Sequence, residues 1–88
     1  MYELDEQVNR RLIARMARIE GQARGIQRMI EEGRDCREIV TQLAAMRAAI
    51  SRVAFGLIAG NLQQCLVKAD PAEREDLLAE LEAAMTRL

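Results

Sequence analysis

The sequence predicts an all-α fold: a three-helix protomer that completes its core by oligomerising. Three observations predict it. Half of the 88 residues are hydrophobic, yet Trp is absent and Phe and Tyr occur once each, so the apolar content is the helix-forming set Ala, Leu, Ile, Met and Val. Apolar residues recur at steps of three and four, the helical period, through most of the chain. A 9.9 kDa chain of this kind is too short to bury a large core alone, which favours oligomerisation. Residues 1–88 read as a single domain, without a linker, low-complexity tract or internal repeat.

The first helix is expected from Asp5, an N-cap residue, with Glu6 in the first turn. Leu12, Met16, Ile19, Ala23, Ile26 and Ile30 form its apolar stripe, and Gly33 suits the left-handed cap position beyond its end. The second helix starts at once. Asp35 is its N-cap, and Glu38 three residues later makes a variant of the capping box. Ile39, Leu43, Met46, Ile50, Val53 and Leu57 make one stripe, widened by Val40, Ala44, Ala54 and Ile58, and no proline interrupts the run to Leu66. A face this broad suits contact with both helix one and a neighbouring chain. Gly56 and Gly60 lie one turn apart, each costing about 1 kcal/mol relative to Ala; either the helix tolerates a loss or kink there, or another helix crosses closely. The third helix opens at Asp70-Pro71, with Pro at its first position. Leu77, Leu78, Leu81 and Met85 give it an apolar edge, set against Glu73, Glu75, Asp76, Glu80 and Glu82.

Cys36 and Cys65 fall near opposite ends of the second helix. Twenty-nine positions separate them, roughly 43 Å along an unbroken helix, whereas a disulfide needs Cα atoms about 4.4–6.8 Å apart. If the helix is continuous, the two thiols of one chain cannot meet; those of two antiparallel chains can. Cys36, in the first helical turn between Arg34-Asp35 and Arg37, is placed where free N–H groups and the helix dipole favour a thiolate. Asn61 precedes Cys65 by one turn. No His exists in the chain, and structural zinc normally needs four ligands. Cu(I), a soft ion, accepts two thiolates, and sulfur exchange between two thiols needs no metal. The plain alternative is that both cysteines are small buried hydrophobes.

A net charge of −1 conceals a strong polarity. Residues 9–52 carry ten Arg against five acids, residues 53–88 three bases against six acids, and residues 1–8 three acids. On helix one Arg11, Arg15, Arg18 and Gln22 share a narrow sector; Arg10, Arg24 and Arg28 lie farther around, and Arg47 and Arg52 come from helix two. The planar guanidinium forks phosphate well, and near-absence of aromatics points to duplex backbones over stacked single strands. The competing reading is a solvated face paired locally, with Glu31, Glu32 and Glu38 as partners. No helix-turn-helix spacing is present. Glu3, Asp5 and Glu6 precede any apolar run, unlike a signal peptide. The longest nearly uninterrupted apolar stretch, residues 53–60, is well short of the roughly 20 residues a membrane span needs. A cytoplasmic location without membrane contact is expected, and in that reducing compartment two cysteines are reactive or metal-binding more often than disulfide-bonded.

The run Arg15-Met16-Ala17-Arg18-Ile19-Glu20-Gly21-Gln22-Ala23-Arg24-Gly25-Ile26, followed by Arg28-Met29-Ile30-Glu31-Glu32, resembles the signature of the CsoR/RcnR/FrmR family of small bacterial repressors. Cys36, Gln42-Leu43 and Asn61-Leu62-Gln63-Gln64-Cys65 extend the resemblance, which covers essentially the whole chain. It implies a helical homotetramer, a dimer of antiparallel dimers, that binds operator double-stranded DNA and releases it when an inducer occupies the intersubunit cysteine site. The copper sensors of that family have a His where this chain has Asn61, the nickel and cobalt sensors use additional His residues, and the formaldehyde sensors use an N-terminal Pro where this chain has Tyr2. Asp35-Cys36 with Asn61-x-x-x-Cys65 is most similar to the CstR branch. That resemblance implies a repressor, not an enzyme and without a cofactor, in which Cys36 attacks a persulfide or polysulfide. Cys65 of another chain then closes a di- or polysulfide crosslink. Asp35 and Asn61 would neighbour those thiols, and Arg11, Arg15, Arg18, Gln22 and Arg52 would meet DNA. The alternatives are a Cu(I)-responsive repressor using the same two thiolates and a thiol sulfur carrier that binds no DNA.

Overall fold

A computed structural model describes residues 6–68 and 70–88, with the side chains of 62–68 left aside. Three helices follow in order: α1 Glu6–Glu31, α2 Cys36–Lys68 and α3 Pro71–Thr86. The N-cap expected at Asp5 lies outside the described residues. In the first turn of α1, Glu6 pairs with Arg10 at 2.7 Å. Arg28 occupies the last turn, where a cation complements the helix dipole.

Gly33 ends the first helix as its position predicts. Its φ of 67° is left-handed. The Arg34 N–H donates to the Met29 carbonyl at 3.0 Å and the Gly33 N–H to Ile30 at 3.1 Å, the paired bonds of a Schellman motif. The turn reverses the chain, and α2 runs back along α1. Asp35 caps α2: its Oδ1 accepts from the Arg37 N–H at 2.8 Å. The expected capping box does not close, because Glu38 turns to the Arg34 guanidinium at 2.9 Å.

The core between α1 and α2 is narrower than the sequence pattern. Leu12, Ile19 and Ile26 are buried, each seven residues from the next, the spacing of a two-helix seam. Met16 and Ile30, members of the same predicted stripe, are exposed, as are Leu43, Leu57, Val40 and Phe55 of α2. One helix can cover only one seam of another, so the rest of the broad α2 face is left without a cover in the protomer. The glycines of α2 mark the crossing. A Cβ at Gly56 would lie 2.9 Å from Leu12 Cδ2, and one at Gly60 2.5 Å from Val8 Cγ1. Close approach, and not tolerated loss, is why glycine stands at these two positions.

Asp70 and Pro71 open α3 as expected, with the Asp70 N–H directed at Glu73 Oε2 at 3.4 Å. No residue of α3 is buried. It folds back on α2, where Phe55, Ile58, Leu78, Leu81 and Met85 line an apolar cleft of about 410 Å³, and Arg47 Nε donates to the Leu88 carbonyl at 2.6 Å. The membrane expectation needs one correction. An 18-residue window within Cys36–Asn61 reaches a mean hydropathy of 1.4, so this helix is by length and composition alone able to cross a membrane, which the short run at 53–60 did not reveal. Arg37, Arg47 and Arg52 lie within it, and a mid-bilayer charge costs about 2.5–3.5 kcal/mol on insertion scales.

Candidate effector and nucleic-acid sites

The thiol end of the molecule begins with Cys36, exposed at the first position of α2. Its surroundings differ from the electropositive setting the sequence suggests. The Arg37 N–H is taken by the Asp35 carboxylate, and the Glu38 and Ile39 N–H groups by the Asp35 carbonyl at 3.0 and 3.2 Å. Arg37 Nη2 folds onto Asp35 Oδ2 at 3.0 Å and Arg34 onto Glu38. Both flanking cations are therefore engaged by local carboxylates. The Arg37 guanidinium, and then its backbone N–H, hold the Asp35 carboxyl below its ordinary range, and the same pair raises the guanidinium. Asp35 works as a helix cap clamped by Arg37 beside the thiol.

At the other end, Cys65 lies within α2, while its side chain falls outside the described residues. The helix is continuous from Cys36 to Lys68. That meets the condition set by the spacing: roughly 43 Å of rigid helix separates the two cysteine positions in one chain. Asn61 is 1% exposed, the most deeply buried polar residue described, and its Nδ2 donates to the Leu57 carbonyl one turn back at 3.0 Å. It adjoins the Gly60 crossing and belongs to the helix–helix packing. Among the described residues no three His, Cys, Asp or Glu side chains gather into a metal-binding group.

The basic residues come together across the two helices. Arg15, Arg18 and Gln22 of α1 and Arg52 of α2 line one cleft of about 310 Å³, floored by Ile19 and Ala49. Arg11 is exposed on α1 but does not line it. Arg47, grouped with this face by sequence, reaches instead to the Leu88 carbonyl, because α3 folds back onto that part of α2. The local-pairing explanation fails for most of the face. Among the described residues the ion pairs are Arg10–Glu6, Arg34–Glu38 and Arg37–Asp35, so Arg11, Arg15, Arg18, Arg24, Arg28 and Arg52 have no carboxylate partner. Glu31 and Glu32 take none of them. Ala49, which lets the α2 side of the cleft stay open, had no signal of its own in the sequence.

A helical hairpin presents unpaired arginines from both helices, and its long helix carries the two cysteine positions near its ends, the frame of a small all-helical protein. The family of metal-sensitive transcriptional repressors matches residues 8–87, and the chain belongs to it. Among its relatives is the copper-sensing transcriptional repressor RicR of Mycobacterium tuberculosis, 42% identical over 78 residues that cover 84% of this chain and 80% of the relative. The copper-sensing transcriptional repressor CsoR of Bacillus subtilis is 40% identical over 68 residues, 76% of this chain and 67% of the relative. Among solved structures, the copper-sensing repressor CsoR with Cu(I) from Geobacillus thermodenitrificans superposes with a TM-score of 0.77 at 32% identity, covering 99% of this chain and 92% of that one. The nickel-responsive transcriptional regulator InrS gives 0.65 at 38% identity, with 89% of each chain covered.

Proposed function

We propose that this protein is an operator-binding repressor that releases DNA when a thiophilic effector bridges Cys36 of one chain and Cys65 of an antiparallel partner, and that the effector is Cu(I). The observation that carries the bridging geometry is the unbroken α2, which holds the two cysteine positions of one chain too far apart to share a ligand. The exposed apolar face of α2 supports a partner chain, because Val40, Leu43, Phe55 and Leu57 remain exposed in the protomer. The copper-sensing relatives support Cu(I). The donors fit a soft, low-coordinate ion: two thiolates, with no imidazole in the chain. DNA would lie along the Arg15, Arg18, Gln22 and Arg52 cleft with Arg11 at its edge, in the cytoplasm, where operators are. Bridging shifts one helix pair against the other and misplaces those arginines, a coupling of the usual size, about 1–3 kcal/mol.

One observation favours a second effector. Where the copper sensors of the resembled family supply His, this chain has Asn61, buried with its amide bonded to Leu57. A sulfane sulfur donor needs only the thiols. The Cys36 thiolate attacks a polysulfide, forming a persulfide and a shorter polysulfide anion; the partner's thiolate then displaces hydrosulfide and closes a disulfide, the polysulfide being the two-electron oxidant. Anaerobic titration of the reduced protein–DNA complex separates the two. Release at one Cu(I) per thiol pair, against a competing chelator and without covalent change, supports copper. Release only by polysulfide, with a covalent dimer in intact-mass spectra, replaces copper by sulfur. Release by neither removes the thiol-bridging mechanism.

A further inference from the structure

The seam between α1 and α2 joins the Cys65 end of the molecule to the basic cleft. Val8 bears on α2 at Gly60 and Leu12 bears on it at Gly56, each so closely that a Cβ there would collide. One turn farther along α1, and one turn back along α2, Arg15 and Arg52 share the cleft that Ile19 and Ala49 floor. Every advance of three or four residues on α1 is matched by a similar retreat on α2, so these contacts are the rungs of one antiparallel ladder. Its first rung adjoins the buried Asn61, whose amide is bonded to the Leu57 carbonyl, and Cys65 stands one turn beyond. From Val8 to Arg15 is about 10 Å along the axis of α1. Val is stiff at χ1, and at Gly60 no side chain lies between it and the α2 backbone to absorb a displacement. Close-packed contacts of this kind transmit strain.

We infer that Val8 is a positioning residue for DNA release: its contact with Gly60, backed by the Leu12–Gly56 rung, carries movement of the Cys65 turn to the arginines of α1. The inference rests on the thiol-bridging repressor reading and supplies its route within one chain. A bridge at Cys65 draws that end of α2 toward the partner and presses Gly60 against Val8. Because α1 is one helix from Glu6 to Glu31, it shifts as a unit, and Arg15 and Arg18 leave their register with Arg52. Val8 itself touches neither DNA nor effector.

The test is a double-mutant cycle read on release of the full, reduced chain from a mixed-sequence duplex, since phosphate contacts are independent of sequence. Anisotropy gives the affinity before and after Cu(I) at one per thiol pair and, separately, polysulfide. Wild type should lose about 5–150-fold in affinity. Val8→Ala should bind the duplex within about twofold of wild type when reduced, while its release factor falls by about threefold or more. Adding Gly60→Ala to Val8→Ala puts a methyl 3.2 Å from the Cβ that remains at position 8, which remakes the contact and should restore release. Ile26→Val trims the same seam beyond the cleft, and should lower the melting temperature without changing release. Wild-type release in Val8→Ala overturns the inference, as does a double variant that stays as weak as Val8→Ala. An equal loss in Ile26→Val overturns it too, because general loosening would then be the cause. A wild-type complex that neither Cu(I) nor polysulfide releases removes the bridging reading itself, and this inference with it.

Discussion

Val8 of α1 rests on the backbone of α2 at Gly60: a Cβ there would lie 2.5 Å from Val8 Cγ1 and 3.2 Å from its Cβ. The contact lies one residue before the buried Asn61, so the crossing that packs the hairpin also sets the approach to the Cys65 turn.

Gly60→Ala should destabilise the protein. Ala gains about 1 kcal/mol in helix propensity, but Val is stiff at χ1 and cannot swing aside, and overpacking of this kind costs about 1–3 kcal/mol. Gly56→Ala meets only the tip of Leu12 and should be milder. Gly21→Ala meets nothing and should stabilise by about 1 kcal/mol. Urea unfolding of the three variants checks the order; equal effects at 21 and 60 would mean the helices do not cross there.

Cys65→Ser should leave DNA affinity intact and abolish effector-driven release. Fluorescence anisotropy with Cu(I) and with polysulfide reads both quantities. Normal release by either in the variant would show that Cys36 acts without a second thiol.

Arg15→Ala should weaken DNA binding at every salt concentration and lower the salt slope by about 0.9. Its side chain has no partner within the chain among the described residues, so melting should not change. A lost melting transition with an unchanged slope would reassign Arg15 to the fold.

Asp35 links the α2 N-terminus to pH. Its carboxyl is held below the ordinary range chiefly by the Arg37 side chain, so the native state favours the ionised form. The stabilising contribution is fully present above the unfolded value, about 3.9, and is lost as pH falls through the lower folded one. The protection factor of the Arg37 amide, whose N–H Asp35 accepts, should be high at neutral pH and fall as the Asp35 carboxyl protonates below the ordinary carboxylate range. Asp35→Ala should show the low protection factor at every pH.

Much of the fold is legible locally. Gly33, Asp35, Asp70 and Pro71 act within a turn of their own positions, and the helix ends fall where they predict. The apolar stripes were legible as stripes but not as a core. Met16 and Ile30 share the period of Leu12, Ile19 and Ile26, yet the hairpin covers only the latter, and period alone carries no information about how wide a partner is. At the sites, the cysteine spacing and the Arg15, Arg18, Gln22 sector were readable. The diversion of Arg47 to Leu88, the engagement of Arg34 and Arg37 by carboxylates, and the burial of Asn61 were not, since each depends on what a neighbouring segment presents.

The sequence by itself determined the three helices, the concentration of basic charge before residue 53, and the distance between Cys36 and Cys65. These follow from backbone geometry and residue order, which act along the chain. Only the tertiary structure decided which apolar residues are covered, that Arg52 joins Arg15 and Arg18 in one cleft, and that Gly56 and Gly60 admit Leu12 and Val8. Those facts depend on the crossing of two helices, a relation between segments far apart in the chain that no local period encodes.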